Sequence, residues 1–290
     1  MDAGVEPAMG SVVIPAHDEA AVIGRCLDAL FTGVEPCELE VIVVCNGCTD
    51  GTADVVRWAG HPVQLIELDE ASKPAALRAG DAAAMTFPRL YLDADVSLAG
   101  SAARRVLERL HDGAIAARPP IRYDAEASSV PVRRYYRARS RLPAVLGSLW
   151  GAGVYGLSAA GRHRFGAFPD VIADDFWVDG HFAADEVEIV DCQPVVVRAP
   201  RSSRDLVRVL RRVYLGKGER ASAPDQDDRA PETVGFTLRD LGRLAVRGPV
   251  AALDAATYAA FATGARLALA FGAPAADGWG RDHASRAALR

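Results

Sequence analysis

Two pairs of carboxylates in this chain have a spacing that allows chemistry. Asp93 and Asp95 stand one residue apart at the end of an apolar run that begins at Leu90. Alternate side chains of an extended segment share a face, so both would point the same way and could hold one hard divalent cation, or a cation and a sugar hydroxyl. Such a site suits a phosphate-bound metal. The same residues also fit a strand end that runs into an acidic turn. The second pair, Asp174 and Asp175, is contiguous and precedes Phe176-Trp177-Val178. Adjacent carboxylates beside large apolar side chains repel one another and are partly desolvated, which suits one of them to accept a proton. The alternative reading is a cap for the helix that follows.

The elements that must position these pairs alternate along the chain. Apolar runs at 11–15, 39–44, 63–68, 90–92 and 114–117 read as strands. Between them, Val22, Ile23, Cys26, Leu27 and Leu30 recur at helical spacing and Gly33 closes the segment. Thr52 is the expected cap of a helix over 53–58, and further helices are expected over about 74–85 and 101–110. Strands that are apolar throughout and alternate with amphipathic helices imply an α/β fold, a mostly parallel Rossmann-like sheet sandwiched by helices. Ligands of such sheets bind beyond the carboxyl ends of the strands. The polar loops at 16–19, 45–50, 69–73 and 93–95 are therefore expected to converge on one crevice.

Composition excludes several classes. Half of the 290 residues are hydrophobic, enough for one large domain or for a domain plus a helical appendage. A net charge of −5 argues against a general nucleic-acid binder. Cys45 and Cys48 form a C-x-x-C without a second pair or zinc-spaced histidines, so the five cysteines read as reduced thiols. The N-terminus lacks the charged-then-apolar layout of a secretory signal, which leads to the expectation of a cytoplasmic protein. No G-x-G-x-x-G follows the first strand and no G-x-x-x-x-G-K-[ST] occurs, which weakens a dinucleotide enzyme or a P-loop NTPase.

Four motifs in order carry a family resemblance. Val13-Ile14-Pro15-Ala16-His17-Asp18-Glu19, Asn46-Gly47-Cys48-Thr49-Asp50-Gly51-Thr52, Lys73-Pro74-Ala75-Ala76-Leu77-Arg78-Ala79-Gly80 and Asp93-Ala94-Asp95 resemble the ordered motifs of family 2 glycosyltransferases with the GT-A fold. The resemblance covers roughly residues 10–200. It implies an enzyme that moves a sugar from a nucleoside diphosphate donor, uses Mg²⁺ or Mn²⁺ and usually inverts the anomeric centre. By the same resemblance Pro15, Ala16 and Glu19 flank the nucleoside, Asn46 contacts the base and Lys73 lies near the donor phosphates. Asp95, with Asp93, ligates the metal, and Asp175 is the catalytic base with Asp174 its supporting neighbour.

The chain departs from the family pattern in two places. Cys45 and Asn46 stand where many members carry two aspartates; an asparagine donates and accepts, which suits uracil without excluding guanine or thymine. Arg78 replaces a frequent asparagine and either adds a phosphate contact or lies exposed on its helix.

The second half is expected to supply the acceptor side. Seven arginines between Arg118 and Arg141, interleaved with Tyr123, Tyr135 and Tyr136, read as a cationic loop for a phosphorylated or lipid-diphosphate acceptor, or as a solvated helix face. Residues 151–158 suit a small-residue strand that lets a substrate approach the backbone. Residues 188–197 suit one more strand. Beyond it, Leu206, Val209, Leu210, Val213 and Tyr214 keep helical spacing with Arg204, Arg208, Arg211 and Arg212 on the other face. That basic helix suits an anionic membrane surface or pyrophosphate, with a solvated face the alternative.

Residues 250–271 are long enough to cross a bilayer, but Asp254 and Arg266 would each cost roughly 2.5 to 3.5 kcal/mol near its centre. Helices packed on the domain, on a partner subunit or at a membrane interface are expected instead. The domain reading is a flexible tail at 1–9, a GT-A domain over 10–200 with donor half 10–118 and acceptor half 119–200, and a basic helix and helical region over 201–290. A polar linker is expected at 221–233, and no chemistry is assigned to 279–283.

The sequence thus suggests an inverting glycosyltransferase, a hexosyl- or related transferase that favours a UDP-sugar donor. Its partners would be the donor, an acceptor, the inner face of an anionic membrane and a second copy of itself. The alternatives are a nucleotidyltransferase on a similar sheet, or a catalytically inactive subunit that binds a nucleotide sugar. A nucleotidyltransferase would show a Gly-rich, Arg/Lys-bearing loop after the first strand, which residues 16–19 are not.

Overall fold

The structure is a computed structural model that describes residues 8–35, 37–171, 173–220 and 233–271. Most of the expected tail at 1–9, the expected linker at 221–233 up to 232, and the stretch 272–290 lie outside the described residues. In chain order the elements begin with β1 (Gly10–Ala16), α1 (Ile23–Leu30), β2 (Leu39–Asn46), α2 (Thr52–Trp58) and β3 (Val63–Leu68). They continue with α3 (Lys73–Ala83), β4 (Arg89–Leu92), α4 (Gly100–His111), β5 (Ala116–Arg118), β6 (Ile121–Asp124), α5 (Val130–Arg139) and α6 (Pro143–Leu146). β7 (Val154–Leu157), α7 (Ala159–Arg162), α8 (Asp174–Asp179), β8 (Val187–Ile189) and β9 (Val195–Arg198) precede α9 (Ser203–Arg220), α10 (Thr233–Ala245) and α11 (Pro249–Phe271).

The chain divides into two compact units. The first, residues 1–120, 149–170 and 181–196, holds a seven-stranded sheet in the order β3-β2-β1-β4-β7-β5-β8. β1 pairs in parallel with β2 and β4, and β2 with β3, as expected, while β7 runs antiparallel to both of its neighbours, β4 and β5. β1, β2 and β4 are the central strands and are buried almost throughout, which is why their sequences are continuous apolar runs. β3 at the edge keeps Gln64 and Glu67 exposed. α1 turns Ile23, Cys26, Leu27 and Leu30 inward, and α4 does the same with Val106, Leu107 and Leu110. The strand expected over 188–197 is instead two, β8 and β9, because the turn-forming Asp191-Cys192-Gln193-Pro194 interrupts it.

A buried ionic network fastens this unit. Asp81 of α3 accepts from Arg89 Nη1 at 2.6 Å, from the Tyr91 hydroxyl at 2.5 Å and from Arg162 Nη2 at 2.7 Å. Burial opposes the charge on Asp81, but the Arg162, Tyr91 and Arg89 hydrogen bonds outweigh it and hold the carboxyl below its usual range.

In the second unit, residues 121–148, 171–180 and 197–290, the elements among the described residues are helices apart from β6 and the end of β9, where the Ala199 amide donates to the Asp124 carbonyl at 2.8 Å. α5 and α11 pack through stacked rings, Tyr135 on Tyr258 with centroids 4.8 Å apart. Among the described residues no helix is long and apolar enough to cross a membrane. The charge in α11 has a local use: Asp254 is fully buried and receives Arg137 Nη2 at 2.9 Å and Arg134 Nη1 at 3.4 Å. In α9 the leucines 206 and 210 are buried while Arg204, Arg208 and Arg212 are exposed.

Candidate active site

The carboxyl ends of β1 and β2 are stitched together by their own loops. Asn46, the last residue of β2, is fully buried and its amide donates to the Ala16 carbonyl at 2.8 Å. The Asn46 Oδ1 is buried without a hydrogen-bond partner. His17 lies over the same residue, with Nδ1 2.6 Å from the Asn46 carbonyl oxygen, which fixes Nδ1 as the protonated nitrogen. Pro15, Ala16 and Glu19 are buried beside it.

Asp18 adopts φ +52°, a left-handed conformation that aspartate tolerates better than most residues. From there its carboxylate accepts the Thr49 amide at 2.6 Å and the Asp50 amide at 3.2 Å. Burial disfavours the ionised form of Asp18, but these bonds prevail and its pKa lies below the usual value. Thr52, expected as a cap, is instead inside α2. Asp50 accepts its amide at 2.9 Å, and the Thr52 hydroxyl receives the Glu19 amide at 2.7 Å. Gly47, at φ +56°, sits so close to Ala71 that a Cβ would come 2.6 Å from the Ala71 nitrogen, so the third loop also closes on this site.

The loop after β4 carries the acidic pair. The Asp93 amide donates to the Gly153 carbonyl at 2.8 Å, and the Val96 amide returns to the Asp93 carbonyl at 3.1 Å, which makes 93–96 a tight turn. Gly153 has φ +66°, and a Cβ there would lie 2.4 Å from Val96 Cγ2 and 3.3 Å from Asp93 Oδ2. Gly153 therefore makes room for the acidic turn itself. Asp93 is half-buried and Asp95 is exposed. α3 begins at Lys73 because Ser72 caps it, accepting the Ala75 amide at 3.2 Å, and Pro74 occupies the first turn. That start places Lys73 Nζ 2.7 Å from Asp93 Oδ1.

These donors fit a divalent cation. The Cys26 thiol on α1 is raised well above its usual pKa by burial first and then by the charges of Asp95, Asp93 and Glu19. Asp93 and Asp95 stand one residue apart in a single tight turn, and hard oxygen donors of this kind are what Mg²⁺ or Mn²⁺ takes. His17, Asp18 and Cys48 also bring nitrogen, oxygen and sulfur atoms within 4.8 Å of one another. In that trio Asp18 already holds the Thr49 and Asp50 amides and the Cys48 thiol donates to Ala16 at 3.5 Å, so it fastens the loops to each other. All five cysteines are free thiols, and burial followed by the neighbouring Cys48 pushes Cys45 up to about 12.

Other expected residues have different roles. Arg78 neither lies idle nor faces the acidic turn: its Nη1 donates to the Phe168 carbonyl at 2.7 Å and to Asp170 at 2.8 Å. In the arginine-rich segment, Arg134 and Arg137 are committed to Asp254, and Arg139 Nε donates to the Tyr123 hydroxyl at 2.9 Å. These three are therefore not open cations, whereas Arg122, Arg133 and Arg141 of the same segment are exposed. Asp174 and Asp175 form the first turn of α8 in the second unit; Asp174 is buried, and Asp175 accepts the Phe176 amide at 2.7 Å.

Residues 11–161, more than half of the chain, match the family described as Glycosyl transferase family 2. The chain belongs to that family. As a family 2 glycosyltransferase it is also similar to the glycosyltransferase AglE of Haloferax volcanii, 34% identical over 92 residues, which is 30% of this chain and 30% of that protein. The match therefore spans less than a third of the relative's length. Among solved structures, a mannosyltransferase from Pyrobaculum calidifontis in complex with GDP-Man and Mn²⁺ superposes with a TM-score of 0.57 at 22% identity, covering 92% of this chain and 83% of that one. A glucosyl-3-phosphoglycerate synthase from Mycobacterium tuberculosis, in complex with Mn²⁺, UDP and glucosyl-3-phosphoglycerate, gives a TM-score of 0.52 at 21% identity over 74% of this chain and 80% of that one. At these identities the likeness establishes the GT-A fold of this family 2 glycosyltransferase.

Proposed function

We propose that this glycosyltransferase moves a sugar from a nucleoside diphosphate donor to an acceptor hydroxyl with inversion of the anomeric carbon. The observation that carries the reading is the meeting of Lys73 with the acidic turn, Nζ to Asp93 Oδ1 at 2.7 Å, in a turn that also carries Asp95. Asp95, with Asp93 next to it, would hold Mg²⁺ or Mn²⁺, whose positive charge offsets that of the departing diphosphate. Lys73 adds an ammonium at the same turn and would pass from Asp93 to a donor phosphate oxygen. Pro15, Ala16 and Glu19 would flank the nucleoside.

The base would be read by Asn46. Its amide nitrogen is used on Ala16, so Oδ1 is the atom left to bind, and an acceptor matches an N–H of the base. One acceptor suits the single ring N–H of uracil better than the adjacent donors of guanine, which favours a UDP-sugar. Because Asn46 is fully buried, the loops around it must open to admit the base.

Asp175 would take the acceptor's proton, with Asp174 as its neighbour, and the acceptor would be phosphorylated or lipid-linked. The exposed arginines of α9 support peripheral contact with an anionic membrane. The test is release of nucleoside diphosphate from UDP-glucose and GDP-mannose with added Mn²⁺. Turnover with UDP-glucose preferred supports the proposal; binding of either nucleotide without turnover under any acceptor or hydrolysis condition would favour a catalytically inactive subunit.

A further inference from the structure

The hairpin of α10 and α11 carries a surface that the sugar-transfer reading does not use. On α10, Leu241 and Leu244 face inward. Arg239, Arg243 and Arg247 recur every four residues and are exposed, and Leu238, Gly242 and Val246 recur with the same spacing one residue earlier, also exposed. Positions four apart line one face of a helix, so within α10 the basic stripe of Arg239 and Arg243 lies beside Leu238 and Gly242, and Val246 and Arg247 follow in the turn after its last residue, Ala245. Among the described residues, that basic stripe makes an ion pair from Arg243 to Asp240 at 3.5 Å.

α11 continues the pattern. Its two charges are both engaged, Asp254 with Arg134 and Arg137 and Arg266 over the Tyr214 ring at 4.8 Å. The rest of its outward face is uncharged and includes Val250, Leu253, Leu267 and Phe271. A helix that faces water normally carries polar residues outward, and clustered exposed apolar side chains mark a contact surface. At the corner between the helices, Val246 is 86% exposed, Val250 62% and Leu253 50%.

We infer that this corner lies on an anionic lipid surface. Val246, Val250 and Leu253 enter the boundary between headgroups and acyl chains, and Arg239, Arg243 and Arg247 meet the lipid phosphates. The basic stripe decides the occupant: an apolar patch alone would suit a second copy equally, but a cationic row beside it complements a negative surface and would repel its own copy. The inference rests on the reading that the enzyme meets an anionic membrane, and assigns that contact to the α10–α11 corner rather than to α9 alone.

The experiment is sedimentation of the full chain with phosphatidylcholine vesicles and with vesicles containing added phosphatidylglycerol, without donor or metal. The expected result is binding to the anionic vesicles that high salt weakens. Val246→Ser with Leu253→Ser should lower it by about tenfold, the change that ~1.4 kcal/mol represents. Arg239→Gln with Arg243→Gln and Arg247→Gln should remove the preference for anionic lipid. All variants should keep wild-type far-UV circular dichroism and Mn²⁺-dependent UDP binding, since every changed residue is exposed. Binding lost only with Arg204→Gln and Arg208→Gln would overturn the inference and leave the membrane reading standing. No binding to either vesicle would overturn both, and a dimer in light scattering that Leu253→Ser dissociates would assign the face to a second copy instead.

Discussion

Lys73 Nζ and Asp93 Oδ1 are joined at 2.7 Å, by an ion pair between the first residue of α3 and the turn after β4. Neither partner is fully buried, so the pair itself contributes only about 0 to 1 kcal/mol to stability. Its value is positional, since a cation held beside the acidic turn is ready to pass to a phosphate. Lys73→Met should therefore leave the melting temperature within about 4 °C of wild type. Donor affinity should fall by about ten- to a hundredfold, the loss of one charged hydrogen bond. Calorimetric titration with UDP and Mn²⁺ checks both the affinity and the fold.

Gly153, just before β7, supports the same turn. At φ +66° an alanine costs about 1 to 2 kcal/mol, and its Cβ would press on Val96 and Asp93. Gly153→Ala should raise the Mn²⁺ concentration for half-maximal UDP binding by about tenfold. Nucleotide binding in EDTA should change little by comparison. Equal losses in both conditions would mean that the glycine supports the fold alone.

Asp175→Asn keeps the size of the side chain and its ability to accept the Phe176 amide, but cannot take a proton. Turnover should fall by about 10² to 10⁴ while UDP affinity stays close to wild type, and Asp174→Asn should be milder. Single-turnover rates with a saturating donor measure the difference. Near-normal turnover, or a product that keeps the donor's anomeric configuration, would remove Asp175 as an inverting base.

Much of the first unit was legible because its central strands are buried on both faces and leave uninterrupted apolar runs, as in Val12 to Ile14 and Val41 to Val44. The start of α3 was legible to within a residue because Ser72 and Pro74 are local signals. What local pattern could not show was pairing across the chain. Arg137 and Asp254 are 117 residues apart, and without its partner the arginine reads as an open cation. Asp81, Arg89 and Arg162 form their network in the same hidden way. The role of Gly153 was inverted for a related reason: a glycine shows that a side chain is missing, and only the fold shows that Val96 and Asp93 fill the space. β6 escaped notice because Ile121-Arg122-Tyr123-Asp124 alternates within a stretch dominated by arginines.

The Asp81 network fixes an acid limb of stability. The folded pKa of Asp81 is depressed below its unfolded value of about 3.9, so its contribution is fully present above that pH and is lost as pH falls through the folded value. Asp81→Asn leaves Arg89 and Arg162 buried without their carboxylate and should cost about 3 to 5 kcal/mol at neutral pH. Urea unfolding at neutral and acid pH should show the gap between wild type and variant narrowing as the solution is acidified. A constant gap would contradict the assignment.

The central claim is that the acidic turn binds donor through a divalent cation, and calorimetric titration of UDP into wild type and Asp95→Ala, each with Mn²⁺ and with EDTA, tests it most directly. The account predicts tight binding by wild type with Mn²⁺, weak binding in EDTA, and an Asp95→Ala protein of unchanged melting temperature that binds equally weakly in both. Wild-type binding as tight in EDTA as with Mn²⁺, or an Asp95→Ala protein that keeps the Mn²⁺ effect, would contradict it.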